Sequence, residues 1–156
     1  MTTPTTPKHD NTLINLHPVT KDNWRDVAKL KVSEAQSEFV AEPLYYLALC
    51  NYGNLWHPLA IYLGEQVIGF MMWAVDDEDG SCWLGGILID SAYQRHGYGR
   101  KAVQAAINML AKAHNFNHFA LSYQPANTAA RNLYNQLGFQ EKDEWEDDEV
   151  VARFVL

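Results

Sequence analysis

The sequence predicts an α/β (α+β) domain with about six or seven strands and about four helices. Three observations predict it. Short runs of alternating or continuous apolar residues read as strands, and longer stretches with apolar residues three and four apart read as helices. The third is order along the chain: the middle strings strand-like runs together through short turns, whereas the later part alternates helix with strand. At 156 residues the chain fits one compact domain that buries roughly two-thirds of the surface exposed on unfolding. Residues 13–156 are assigned to that domain.

Residues 1–12 carry Thr-Pro breaks and no apolar core, so a flexible tail is expected, resembling neither a signal peptide nor a transmembrane segment. Leu13–Val19 (LINLHPV) alternates and reads as the first strand. Asp22 has the chemistry of an N-cap for a helix whose face carries Trp24, Val27, Ala28 and the stem of Lys31. A second helical stretch runs from Ser33 to about Cys50, interrupted near Pro43.

Leu59–Leu63 and Val67–Val75 flank Gly64-Glu65-Gln66, a short turn that predicts an antiparallel hairpin. The acidic run Asp76–Gly80 ends its second strand, and Cys82–Ile89 (CWLGGILI) completes a three-stranded meander. Helical spacing returns at Val103, Ala106, Ile107 and Leu110, and Phe116–Ser122 reads as a strand. Ala130, Leu133, Tyr134 and Leu137 mark a last helix, closed by Gly138. Phe139–Trp145 and Val150–Leu156 read as a final pair of strands joined by an acidic turn.

Twelve Lys and Arg against 19 Asp and Glu give a formal net charge of -7, which argues against a nucleic-acid footprint and favours a cationic small-molecule partner. Cys50 and Cys82 lie in apolar contexts without metal-ligand spacing, so they read as reduced, buried and structural thiols in a cytoplasmic protein that binds neither metal nor membrane.

The most informative segment is Ile89–Lys101 (IDSAYQRHGYGRK), where a strand meets a glycine-containing turn and then a helix. Free N–H groups and the positive dipole end of a helix N-terminus suit a pyrophosphate. Gly97 and Gly99 admit close backbone approach, and Arg95, Arg100 and Lys101 reverse the sign of an otherwise acidic chain. Gln94-Arg95-His96-Gly97-Tyr98-Gly99 resembles the Q/R-x-x-G-x-G/A signature of the GNAT superfamily, the Gcn5-related N-acetyltransferases. The resemblance extends over roughly Leu13–Leu156 and includes the Asn-x-x-Ala-x-x-Leu-Tyr stretch at Asn127–Tyr134.

That resemblance implies a mixed central sheet with strands splayed at an acetyl-CoA site. The pyrophosphate would lie on backbone amides from about Arg95 to Arg100, and the pantetheine arm along the main chain of Ile87, Leu88 and Ile89. Asn127 is implied as a cofactor contact and Tyr134 as general acid for the departing thiolate. On residue chemistry alone, Tyr134 equally suits a core aromatic and Asn127 an N-cap. Many relatives place an acidic residue in the strand before the loop, where this chain has Gly85-Gly86. Glu34, Glu38, His57 or a water chain are the alternatives for the general base.

Residues 32–40 (VSEAQSEFV), Glu42-Pro43 and the pattern 83–90 resemble the small bacterial branch that includes spermine/spermidine acetyltransferases. On a continuous helix Glu34, Glu38 and Glu42 would form one acidic face, with Glu34 and Glu38 as polyamine contacts. The acidic turn Glu141–Glu149 is a candidate for guiding cations to the cleft, with a solvated charged turn as the alternative. The expectation is acetyl transfer to a primary amine, with a polyamine first. Another amine, such as an amino acid, an aminoglycoside or a protein N-terminus, and a non-catalytic acyl-CoA-binding module are the alternatives. Family habit adds a homodimer.

Overall fold

A computed structural model describes residues 13–156, so the tail expected at 1–12 lies outside the described residues. The elements are β1 (Ile14–Pro18), α1 (Trp24–Ala28), α2 (Glu34–Ser37), α3 (Pro43–Gly53), β2 (His57–Leu63), β3 (Gln66–Val75) and β4 (Cys82–Ile89). A 3-10 turn at Ser91–Tyr93 leads to α4 (Tyr98–His114), β5 (His118–Tyr123), α5 (Thr128–Gln136), β6 (Gln140–Glu146) and β7 (Glu149–Val155). The strands form one seven-stranded sheet in the order β1-β2-β3-β4-β5-β7-β6. Every neighbouring pair is antiparallel except β4 and β5. The mixed sheet and the central meander therefore stand as expected. Among the described residues, no helix is long and apolar enough to cross a membrane.

Side-chain alternation sends one face of the sheet toward α4 and α5 and the other toward α1 and α3. On the first face Ile61, Ile68, Met71, Leu84, Phe119 and Leu121 meet the stripe Ala102, Val103, Ala106, Ile107 and Leu110 of α4. Each large aliphatic side chain fully buried there contributes roughly 1.5–3 kcal/mol. On the second face Val27, Leu30, Ala60, Val67, Phe70, Met72 and Leu88 pack with Tyr46, Leu49, Cys50 and Trp56.

The helices of the first half depart most from the sequence reading. Asn23, not Asp22, precedes α1; its Oδ1 accepts from Thr20 N at 2.7 Å and its Nδ2 donates to Pro18 O and the Tyr62 hydroxyl, each at 3.1 Å. The stretch 33–50 is two helices, and Pro43 starts the second rather than interrupting it. Proline suits a first helical turn, where its missing N–H costs nothing, and it drives the preceding Glu42 to an extended ψ of 144°. Glu38 is the C-terminal cap of the four-residue α2, so Glu34, Glu38 and Glu42 do not share a helical face.

Three smaller corrections follow from burial and register. Trp24 remains exposed, and Val27 alone is buried in α1. Cys82 is buried as expected, whereas Cys50 is half-buried. Most of the acidic segment Glu141–Glu149 is edge strand β6, leaving Asp147-Asp148 as the turn. Two arginines hold that edge: Arg131 grips Glu141 at 2.6–2.7 Å, and Arg153 reaches Glu144, Asp79 and the Ser81 hydroxyl at 2.6–3.2 Å.

β4 carries a bulge that no alternation pattern announces. Met72 pairs with Gly85 and Phe70 with Leu88, so Gly86 and Ile87 together oppose Met71. The bulge flips the phase of the strand: Cys82 and Leu84 face α4, yet Leu88 faces α1 and α3. Gly86 makes the flip at φ 58°, and a Cβ there would lie 3.2–3.4 Å from Phe70, Tyr46 and Met72. Gly86→Ala should therefore lower unfolding stability by about 1–3 kcal/mol, through left-handed strain plus overpacking. Chemical denaturation checks this, with an unchanged midpoint counting against the bulge as a constraint.

Candidate active site

Parallel pairing between β4 and β5 covers only Cys82↔Phe119 and Trp83↔Ala120, after which the strands part. The cleft so formed has Ile87–Ile89 on one side, Leu121–Tyr123 on the other, and the N-terminus of α4 at its mouth. Ile87, Leu88 and Ile89 lie past the last β4–β5 pair. Leu88 and Ile89 still pair with β3, so the parting frees their opposite edge alone.

The loop between β4 and α4 is pinned from outside the cleft. Asp90 Oδ2 accepts from Lys31 N at 2.9 Å and Oδ1 from Ala92 N at 3.0 Å, while Ser91 N donates to Lys31 O at 2.6 Å. Gln94 turns inward: its Nε2 donates to Ile89 O at 2.9 Å and to Gln36 Oε1 at 2.6 Å. The Gln94 side chain thus holds the loop to α2, leaving the backbone of the following residues for an anion. Arg95 at φ 67° and Gly97 at φ 78° are both left-handed, the alternation that turns successive N–H groups into a concavity.

The first helical bond of α4 runs from Lys101 N to Gly97 O at 3.2 Å, so the N–H groups of Tyr98, Gly99 and Arg100 have no partner within the helix. Arg95, His96, Arg100 and Lys101 are exposed, and among the described residues no ion pair engages the three cations. A methyl on Gly97 would meet open space, so its role there is conformational. A Cβ on Gly99 would point between Leu133 and Ile89 at 3.6 and 3.8 Å, toward the inner wall of the cleft. The end of β4 at Ile87–Ile89 and the loop and first helical turn at Gln94–Arg100 thus meet at one corner, tied by the Gln94 side chain.

From α5 come Asn127 and Tyr134. Asn127 Oδ1 accepts from Ala130 N at 3.3 Å, so it is the N-cap of that helix. Among the described residues its side-chain N–H groups have no partner. The Tyr134 ring is 9% exposed and packs against Tyr123 and Phe139 at centroid distances of 5.7 and 6.1 Å. Its hydroxyl has no hydrogen-bond partner among the described residues, yet no fully buried side-chain polar atom there lacks one. The hydroxyl therefore ends at reachable space. Burial first, then the nearby Tyr123 and Glu149, raises its pKa and keeps it protonated.

The expected acceptor residues separate. Glu34 and Glu38 are exposed on and beside α2, whose Gln36 touches Gln94. His57 stacks on Trp73 at 4.2 Å, and Trp73 lies against His114 and Phe116 at the C-terminal end of α4. A helix of 17 residues is roughly 25 Å long, which removes His57 from the cleft. The glycine pair has its own explanation: a Cβ on Gly85 would lie 3.1 Å from Trp56, and one on Gly86 3.3 Å from Tyr46. Aromatic side chains from α3 and the segment after it occupy the place above β4.

Sequence reasoning missed Tyr46, Ser122 and Glu149. Tyr46 stacks on Phe70 at 5.8 Å, and its hydroxyl accepts from Ala41 N at 3.0 Å. Ser122 lies on β5 beyond the last pairing with β4, and its hydroxyl donates to Glu149 Oε1 at 2.8 Å. Glu149, the first residue of β7, was absorbed into the acidic turn because only the β5–β7 register, with Ser122 opposite Val151, turns it toward the sheet. Two surface hollows flank the Arg131–Glu141 pair, and neither is lined by residues 87–100.

Comparison with known proteins agrees with this geometry. The chain matches the acetyltransferase (GNAT) family over residues 24–139. It is 30% identical over 133 residues to the spermine/spermidine N(1)-acetyltransferase of Bacillus subtilis (strain 168), covering 81% of this chain and 88% of that protein. The fold is shared with spermidine N-acetyltransferase from Vibrio cholerae in complex with CoA and spermine, at TM-score 0.70, 16% identity and coverage of 92% and 94%. It is also shared with the aminoglycoside acetyltransferase AAC(6')-Ib in complex with acetyl-CoA, at TM-score 0.76, 16% identity and coverage of 91% and 93%. With the splayed strands, the pinned loop and the helix N-terminus all in place, the chain belongs to the GNAT acetyltransferase family.

Proposed function

We propose that this acetyl-CoA-dependent N-acetyltransferase acts on a primary amine of a polyamine such as spermine or spermidine. The observation that carries the catalytic reading is the Tyr134 hydroxyl, held on a buried ring, without a partner among the described residues and not fully enclosed. The backbone of Arg95–Arg100 would hold the pyrophosphate, and the free edge of Ile87–Ile89 would align the pantetheine arm so that the thioester meets Tyr134. The co-substrate supplies the activated acetyl group. Asn127 would add its free amide N–H groups at the same wall. Tyr134, kept protonated by burial, would give its hydrogen to the sulfur as the C–S bond breaks.

The polyamine reading rests on wall chemistry and on the named relatives. A polyamine alternates cationic nitrogens with methylene segments, and the half-buried Tyr46 and Trp56, packed over buried Phe70 and Met72, offer aromatic surface on the α3 face of the sheet. Glu149 lies on that face, and exposed Glu38 and Glu42 flank the Phe39–Ala41 segment whose Ala41 N–H meets Tyr46. A cytoplasmic setting belongs to the same reading. Burial pushes the Cys50 and Cys82 thiols up to about 11 and about 12, which suits unreactive reduced cysteines.

Two measurements test this. Tyr134→Phe should lower kcat roughly 10²-fold while acetyl-CoA affinity stays within about two-fold; unchanged turnover removes the hydrogen-donor role. CoA release should be selective for spermine and spermidine over amino acids, an aminoglycoside and short peptides. Preference for another amine keeps the enzyme and discards the polyamine.

A further inference from the structure

β4 has no carboxylate facing the cleft, and the glycines that stand there are filled over by Tyr46 and Trp56. A carboxylate nevertheless reaches the same face from the far side of the parting. On β7, Val150 and Ala152 point into the core beneath α4 and α5, so Glu149 and Val151 point the other way, toward α3. On β5, Phe119, Leu121 and Tyr123 belong to that same core, so Ala120 and Ser122 share the face of Glu149. Ser122 is two residues past the last β4–β5 pair. Its hydroxyl donates to Glu149 Oε1 at 2.8 Å, which fixes the carboxylate and leaves Oε2 without a partner among the described residues.

We propose that Glu149, oriented by Ser122, is the carboxylate that receives the acceptor ammonium and takes its proton, standing in for the acidic residue that β4 lacks. The inference rests on the acetyltransferase reading and names the base of that same site. Two tyrosines bracket the position: the Glu149 charge is felt at the Tyr46 hydroxyl from α3 and at the Tyr134 hydroxyl from α5. An amine held by Glu149 would approach from the α3 side of the sheet, with the Tyr134 ring on the α5 side of the parting. Arg131 and Arg153 neutralise Glu141 and Glu144 of β6, whereas no ion pair engages Glu149 or its ladder neighbour Glu146 among the described residues.

The protons balance as follows. Glu149 takes one proton from the ammonium and passes it to solvent, and the freed lone pair forms the C–N bond as the C–S electron pair leaves on sulfur. Tyr134 gives its proton to that sulfur and regains one from the newly acylated nitrogen. The products are an amide, a thiol and one proton released to solvent. Ser122 is a positioning residue in this scheme, since it acts only through Glu149.

The test compares full-length wild type with Glu149→Gln and Glu149→Asp, using the best acceptor of the amine panel. Glu149→Gln should lower kcat/KM for the amine at least about 10²-fold near neutral pH, with acetyl-CoA affinity and thermal midpoint preserved. The deficit should shrink toward pH 10, where solution supplies free amine. Glu149→Asp, which keeps the charge, should recover part of the rate. The groups facing Glu149 are Ser122 on β5, Tyr46, Tyr134 and, across the β6–β7 ladder, Glu146, so a Glu146→Gln control should keep the wild-type profile. A wild-type rate and pH profile in Glu149→Gln would overturn the proposal. If wild type turns over no amine, the acceptor reading fails by itself; acetyl-CoA hydrolysis, with water in the amine's place, then decides, and an unchanged hydrolysis rate in Glu149→Gln rejects the base.

Discussion

Sheets are held by neighbours that satisfy each other's N–H and C=O groups, and here one pair of neighbours lets go after two residue pairs, Cys82↔Phe119 and Trp83↔Ala120. Everything functional is arranged around that release. The bulge at Gly86 turns β4 away while β3 keeps hold of Leu88 and Ile89 on the other edge. Asp90 then ties the end of the strand to the segment after α1 through Lys31, so the parting ends in a fixed loop rather than a loose one. Close the pairing, and the free edge of β4, the outlook of Tyr134 and the shelf at Ser122 vanish together.

Charge follows the same division. The chain is acidic overall, yet Arg95, Arg100 and Lys101 cluster at the start of α4, where the helix dipole already favours an anion. Acidic residues concentrate instead along β6 and the turn to β7, but not all of them are available. Arg131 and Arg153 each grip a carboxylate of β6 and draw it into the edge of the sheet. Solvent screening leaves these pairs little stabilising effect, but they occupy Glu141 and Glu144 while Glu149 carries no ion pair among the described residues. On the proposed reading, an anionic co-substrate meets the cations of α4 and a cationic acceptor meets Glu149.

Legibility followed the range of the interactions. The strands of the meander, the stripe of α4 and the loop Gln94–Gly99 were readable because each depends on neighbours in the chain. The N-cap Asn127 and the hairpin turn at Gly64 were readable for the same reason. The acidic face of Glu34, Glu38 and Glu42 was not real, because spacing by four has meaning only on a continuous helix, and Pro43 set a new start one residue after Glu42. Glu149 was hidden inside a run of acids. Only its register against β5, some 27 residues away in sequence, distinguishes it from solvated neighbours.

The glycine pair joins these points, since an aromatic wall and a carboxylate on β4 exclude one another. Trp56 and Tyr46 already lie 3.1–3.3 Å from where the Cβ atoms of residues 85 and 86 would be, so a side chain there crowds the aromatic rings that cover β4. Aromatic surface over methylene segments contributes contact and cation–π attraction, but it accepts no proton. A site that uses its β4 face for packing must draw proton chemistry from another strand. The strand across the parting is β5, whose Ser122 is too weak a base for the task, and the next is β7, whose first residue leans on that serine. The bulge that opens the cofactor cleft therefore also determines, through the space it grants to α3, where a carboxylate can stand.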